Sequence, residues 1–177
     1  GVKGWVGTFA DYFVADEAIT YKLGAHTSLK RGVLAEPFAV GIHSARRARM
    51  KAGESVLVLG AGTIGMLTAI AARNLGAETI AVTDLYAYNL GIARDMGFGA
   101  YDARDEHLVE AILADYPHKF GAIFLTGGAA VTVAQALALA QRGGRIVATA
   151  IFPRPVLMSL IELTLYELEL IGTQIYT

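Results

Sequence analysis

The sequence predicts an α/β fold, a doubly wound parallel sheet of six strands, and three observations predict it. Short runs rich in Val, Ile and Leu, at 56–59, 79–83, 120–125 and 145–151, have the continuous apolar character of strands buried on both faces. Ala- and Leu-rich segments of helical length alternate with them over short connections. The first run opens directly into Gly60, Gly62 and Gly65, a glycine turn leading into a helix.

In chain order, residues 1–23 carry early glycines and then alternating apolar residues in short β-like pieces, unlike the helices that follow. Thr27 and Ser28 offer N-caps for a helical turn, and Pro37 suits the first position of the next helix, PFAVGIHSARRARM. Gly53 ends that segment. The strand at Val56–Leu59 is followed by a helix over 63–75, stopped by Gly76, and by a second strand over 79–83 that ends on Asp84. Residues 88–96 form a helix closed by Gly97, a short strand lies near Ala100 and Tyr101, and a helix runs from His107 to Ala114. Residues 120–125 are the fourth strand and 131–139 a helix closed by Gly143 and Gly144. Residues 145–151 are the fifth strand. Pro153 and Pro155 break the chain, 157–165 is helix or mixed structure, and 169–176 is the sixth strand.

The glycine turn carries the functional signal. Gly60 permits a tight turn, Gly62 lets a pyrophosphate approach the backbone, and Gly65 lets the helix pack closely on the sheet. The helix N-terminus presents free N–H groups and a positive dipole end to an anion. Asp84 lies nineteen residues beyond Gly65, close to the offset at which an acid accepts hydrogen bonds from the adenosine ribose of a dinucleotide. A 2′-phosphate there would meet a like charge, so NAD is favoured over NADP. A methyltransferase also uses a glycine turn, but its first strand usually ends on an acid, and this one ends on Leu59. The loops after the strand C-termini line one crevice. They supply the candidate cofactor contacts Gly60, Gly62, Thr63, Ile64, Gly65, Asp84, Leu85, Asn89, Thr126, Gly127 and Ala150. Tyr86 and Tyr88 could flank an adenine, although surface packing is the stronger reading.

Composition narrows the classes. The chain has 177 residues, 54% hydrophobic and 18% charged, which excludes disorder and suits a sheet covered on both faces. A mean hydropathy of +0.46 suggests apolar surface covered by another chain or domain. A net charge of −1 gives no reason to expect nucleic acid or membrane as a partner, and a soluble cytoplasmic protein is the expectation. The basic cluster Arg46, Arg47, Arg49 and Lys51 reads as a solvated helix end. There are no cysteines, and the four histidines show no metal-ligand spacing. His43 reads as a structural histidine on a helix face.

The order of GTFADYFV, AEPFAVGIHSARRARMKAGESVLVLGAGTIG, VTDLYAYNLGIARDMG, QRGGRIV and ELELIGT resembles the medium-chain dehydrogenase/reductase superfamily, in its zinc-dependent polyol, sorbitol and threonine branch. The resemblance implies that residues 24–177 are an NAD-binding Rossmann domain. Residues 1–23 are then the tail of a GroES-like catalytic domain, the rest of which, with its zinc ligands, precedes this chain. Zinc is expected only in the full-length parent, with Glu36 matching an acid near the metal there. Without those ligands the chain is expected to hold cofactor and not turn over substrate. Asn89 stands where many relatives carry Arg or Lys, which again leaves NAD preferred. Gly121 and Leu125 replace acids often found on the fourth strand, and Ala150 replaces a common Gly. The last strand of such domains commonly pairs with its copy, so a homodimer through Leu170 to Tyr176 is expected. The alternatives are the cofactor domain of a zinc-independent NADPH quinone reductase, or a non-catalytic nucleotide-binding or oligomerisation module. The first would need basic residues after the second strand, where Leu85, Tyr86 and Ala87 supply none.

Overall fold

The structure is a computed structural model that describes residues 9–176. The chain divides into two compact units, residues 1–34 and 35–177.

In the first unit a 3-10 turn, Glu17–Ile19, is capped by Asp16, whose carboxylate accepts from Ala18 N–H at 2.9 Å. A short helix, α1 (Leu29–Gly32), is capped by Ser28 as its sequence suggests. Among the described residues of this unit there is no strand. The β-like pieces expected in residues 1–23 lie partly at 1–8, outside the described residues. Over 9–23 the alternation alone does not make a strand, because extended backbone needs a neighbour for its N–H and C=O groups. Tyr12 and Val14 are exposed.

The second unit opens with α2 (Ala35–Arg47). Pro37 is its third residue, not its first; the first N–H groups of a helix have no intrahelical acceptor, so a missing one costs nothing there. Six strands follow in alternation with helices: β1 (Ser55–Leu59), α3 (Thr63–Asn74), β2 (Thr79–Asp84), α4 (Ala87–Asp95), β3 (Gly99–Asp102), α5 (Leu108–Asp115), β4 (Phe120–Leu125), α6 (Val131–Leu139), β5 (Ala140–Ala148), α7 (Leu160–Leu165) and β6 (Glu169–Gly172). They form one six-stranded sheet in the order β3-β2-β1-β4-β5-β6, every pair parallel. The order reverses between β1 and β4, which opens a crevice beyond their C-terminal ends.

Alternation along β1 divides the core. Val56 and Val58 pack with Ala45, Met66, Ala69, Leu90 and Ala93 of α2, α3 and α4. Leu57 and Leu59 point the other way, onto Leu108, Ile112, Val133 and Leu137 of α5 and α6. Each face of the sheet is therefore sealed by helices, which is why the strands read as continuous apolar runs.

Two strand ends differ from the expectation. β5 begins at Ala140, directly after α6, so Gly143 and Gly144 lie within it and do not close the helix. Gly143, at φ +71°, belongs to an irregularity where the register with β4 shifts between Phe120 and Ala122. β6 stops at Gly172 instead of reaching Tyr176. Its pairing ends with β5, whose last residue, Ala148, lies opposite Gly172 and accepts from Thr173 N–H.

The basic cluster at the end of α2 is also more than a solvated face. Arg47 Nη2 donates to the Gly172 carbonyl at 3.3 Å, and Arg49 forms an ion pair with Glu169, so both ends of β6 are tied to the α2 side of the sheet. Arg49 holds the Glu169 carboxyl below its usual range. No helix among the described residues is long and apolar enough to cross a membrane.

Candidate functional site

The crevice is built around the end of β1. Gly60 sits at φ +114°, a conformation that glycine adopts without strain. Its N–H donates to Thr83 O at 3.0 Å, and the N–H groups of Thr126 and Gly127 both donate to Leu59 O, at 3.1 and 2.8 Å. Thr126 Oγ1 donates to Gly60 O at 2.6 Å. The turn thus hangs between the ends of β2 and β4. A Cβ on Gly65 would lie 1.8 Å from Gly60 O, so the helix approaches the turn as closely as glycine allows.

Gly62 is different in kind: a Cβ built there meets nothing within 4 Å. It is the N-cap of α3 and makes no side-chain cap, so the uncapped N–H groups of that helix and the open space before Gly62 form a cradle for an anion. Thr63 and Ile64 begin the helix behind it.

Asp84 ends β2 and is 9% exposed. Its Oδ2 accepts from Ala61 N–H at 2.8 Å, and its Oδ1 accepts from Tyr86 N–H at 2.9 Å and from Asn89 Nδ2 at 3.1 Å. The acid therefore braces the glycine turn from β2 as well as facing the crevice. Beside it lies a largely apolar cleft of about 180 Å³, walled by Leu85 and Tyr86 after β2, Gly127 after β4, and Val131 and Gln135 of α6.

The structure brings Gly60, Asp84, Leu85 and Gly127 together at this cleft, with Gly62, Thr63, Ile64 and Gly65 in the adjoining turn and helix. Asn89 reaches it through Asp84. Thr126 contributes as a brace of the turn. Ala150 stands apart from the cleft walls, its N–H donating to Leu125 O at 2.8 Å and so joining the loops after β4 and β5. Glu36 is exposed in the first turn of α2, and the described residues contain no group of three or more His, Cys, Asp or Glu able to hold a metal. Gly121 and Leu125 are both buried in β4; Leu125 packs in the core, and Gly121 lies beside Glu54 and Arg145.

Sequence reasoning missed Ala103, Ala129, Val131, Thr132 and Gln135; Tyr86, which it set in a crevice loop while favouring surface packing for the ring, lines the cleft and is also exposed. Tyr88 does not line it and is exposed. Ala103 arrives because β3 pairs with β2 so that Asp102 lies opposite Asp84. The next residue, Arg104, folds back onto Asp102, with Nη2 to Oδ2 at 2.6 Å and Nε to Oδ1 at 2.9 Å, which holds the Asp102 carboxyl down at about 2. Behind the same strand Tyr101 Oη donates to Asp115 at 2.5 Å, and burial with that contact pushes the phenol up.

A parallel sheet in the order 3-2-1-4-5-6, with a glycine cradle at its switch point and an acid ending the second strand, defines a dinucleotide-binding domain of the Rossmann kind. The family profile described as zinc-binding dehydrogenase matches residues 63–177, and the chain belongs to that family. It is 30% identical over 172 residues to the D-xylulose reductase of Scheffersomyces stipitis, covering 94% of this chain and 47% of that protein. Among solved structures it resembles an Escherichia coli oxidoreductase/dehydrogenase of unknown specificity, with a TM-score of 0.86 and 32% identity over 92% of this chain and 47% of the other. It also resembles a candidate zinc-binding dehydrogenase of Sinorhizobium meliloti 1021 bound to NADP, with a TM-score of 0.77 and 31% identity over 82% of this chain and 44% of the other. The chain spans about half the length of the curated relatives it matches.

Proposed function

We propose that this chain holds NAD for a zinc-type polyol dehydrogenase, in preference to NADP. The observation that carries the reading is the open cradle at Gly62 beside the Asp84 carboxylate. A pyrophosphate fits against Gly62 and the positive end of α3, and the carboxylate at the end of β2 accepts a ribose hydroxyl. Among the described residues no Lys or Arg lines the cleft, and Arg104, which follows the lining residue Ala103, is paired with Asp102. Among the described residues a 2′-phosphate would meet the Asp84 charge and no unpaired cation lining the cleft. The D-xylulose reductase relative supports a polyol as substrate class.

Bound NAD would supply the hydride-accepting nicotinamide, and the residues here hold and orient it. The donor set does not fit a zinc site: the chain has no cysteine, and no described cluster could ligate a metal. The metal of this family is assigned to a part of the longer enzyme outside this chain, which by itself binds cofactor without oxidising alcohols.

Calorimetry with NAD and NADP tests the reading. NAD is expected to bind about tenfold more tightly, because a phosphate dianion beside a largely buried carboxylate is penalised by about 1.4 kcal/mol. In Asp84→Ser the ratio should narrow towards unity. Equal affinities in the parent chain would overturn the NAD preference in favour of the NADP-type cofactor seen in the Sinorhizobium protein.

The partner proposed for the β6 edge is a second copy of the chain. Thr173 N–H donates inward to Ala148, so in a parallel ladder Leu170 and Gly172 turn their N–H and C=O groups outward, the Gly172 carbonyl towards Arg47. Leu170 is 48% exposed. Leu170→Pro removes an outward N–H and leaves the pairing with β5 intact. Light scattering should report a dimer for the parent chain and a monomer for the variant; a monomeric parent chain at high concentration would refute the pairing.

A further inference from the structure

At the end of the sheet away from the glycine turn lies a second cavity, of about 240 Å³. The helices of a parallel sheet run back against their strands, so α3, α4 and α5 end where β2 and β3 begin, and these ends wall it. Thr79, which starts β2 here, is five residues from Asp84 at the cofactor cleft, a span of about 16 Å. The two cavities are therefore separate. Thr79 Oγ1 is buried without a hydrogen-bond partner, and unmet buried hydroxyls are rare in folded chains.

Two side chains of the wall carry opposite charges and are not joined to each other. Arg73, in the last turn of α3, lies 5.2 Å from the centroid of the Phe98 ring and donates Nη1 to Met96 O at 3.3 Å. These contacts place the guanidinium, and its Nη2 and Nε meet no acceptor among the described residues. Glu78 is exposed and forms no ion pair among the described residues. Tyr116, which closes α5, is fixed by its ring contacts with Tyr101 and Phe120, at centroid separations of 6.4 and 5.0 Å. A Cβ on Gly99 would lie 2.5 Å from the Tyr116 hydroxyl, so the glycine gives that hydroxyl its room. Burial pushes the phenol up, which keeps it a donor at neutral pH.

We propose that this cavity binds a small zwitterion, an α-amino acid with an apolar side chain. The Arg73 guanidinium and the Tyr116 hydroxyl donate to its carboxylate, Glu78 accepts from its ammonium, and Met96 and Phe98 receive its side chain. A simple anion would face the Glu78 charge and a simple amine the Arg73 charge. A ligand carrying both charges complements both walls.

The test is an amide NMR titration of the whole 177-residue chain. The probes are L-leucine, 4-methylpentanoate, which lacks the ammonium, and 3-methylbutylamine, which lacks the carboxylate. Leucine should shift the Thr79, Gly97 and Gly99 amides and leave those of Gly62 and Asp84 in place, saturating on the millimolar scale expected of so small a ligand. Each analogue should bind at least about fivefold more weakly. Arg73→Gln and Glu78→Gln, both at exposed positions, remove one charge each. The first should bind leucine no better than it binds the amine, and the second no better than it binds 4-methylpentanoate. The absence of a saturable shift at the three amides would overturn the proposal. So would analogues that match leucine on the parent chain, variants that bind leucine as the parent does, or shifts confined to the cofactor crevice.

Discussion

Gly62→Ala is expected to fold about as stably as the parent chain and to lose NAD affinity by more than an order of magnitude, while Gly65→Ala loses stability itself. The two glycines lie three residues apart, yet a Cβ meets opposite surroundings. At Gly62 it enters open space, and the backbone, at φ −67° and ψ −173°, accepts any residue. Alanine is a poorer N-cap than glycine, but it also lowers the entropy of the unfolded chain; the two effects, each about 0.5–1 kcal/mol, oppose one another. The methyl would then occupy the space the pyrophosphate needs. At Gly65 the Cβ would lie 1.8 Å from Gly60 O and 2.9 Å from Thr126 Oγ1. The gain of about 1 kcal/mol in helix propensity is outweighed by displacing a backbone carbonyl, so a net loss of about 3 kcal/mol is expected. Denaturant melts and calorimetry on the two variants separate the effects. A Gly62→Ala chain that binds NAD as the parent does would remove the cradle from the binding site.

Glu54→Ala is expected to destabilise the chain by about 3 kcal/mol without altering the cofactor crevice. Glu54 precedes β1 and pairs with Arg145 of β5 at 2.7 Å, the side chains being 16% and 9% exposed. The pair spans β4 at Gly121, where a Cβ would lie 3.1 Å from Gln141 Nε2 and 3.5 Å from Glu54 Cδ. Arg145 Nε has no partner, and Glu169, opposite on β6, is paired directly with Arg49, so removing Glu54 leaves the buried guanidinium without its direct carboxylate partner. The double change Glu54→Met with Arg145→Met should recover most of the loss, because desolvation disappears together with attraction. If Glu54→Ala melted with the parent chain, the pair would contribute nothing. The same geometry bears on the glycine at position 121: any side chain there would enter between Gln141, Arg145 and Glu54, at the end of the sheet remote from the glycine turn.

Much of the site was legible because its signal is local. Gly60, Gly62, Gly65 and Asp84 belong to one strand-turn-helix-strand unit, and its spacing follows from strand length and helix rise. The strands and helices through β4 were legible for the same reason, since burial on both faces leaves continuous apolar runs. The start of β5 was not. LALAQRGG carries no connection between helix and strand, so two glycines that sit in an irregular strand look like a helix stop.

The sequence by itself determined the winding of the sheet, the family to which the chain belongs and the cradle for a dinucleotide, because each rests on residues near one another along the chain. Only the tertiary structure decided the rest. It placed Ala103 and Gln135 on the cleft with Asp84, set Arg145 against Glu54 and tied β6 to α2 through Arg47 and Arg49. It also showed that the Asp84 carboxylate is three-quarters occupied by its own chain. Such contacts depend on strand order and register, which no local pattern encodes: a shift of one residue between β2 and β3 would move Ala103 away from the cleft and leave the sequence reading unchanged.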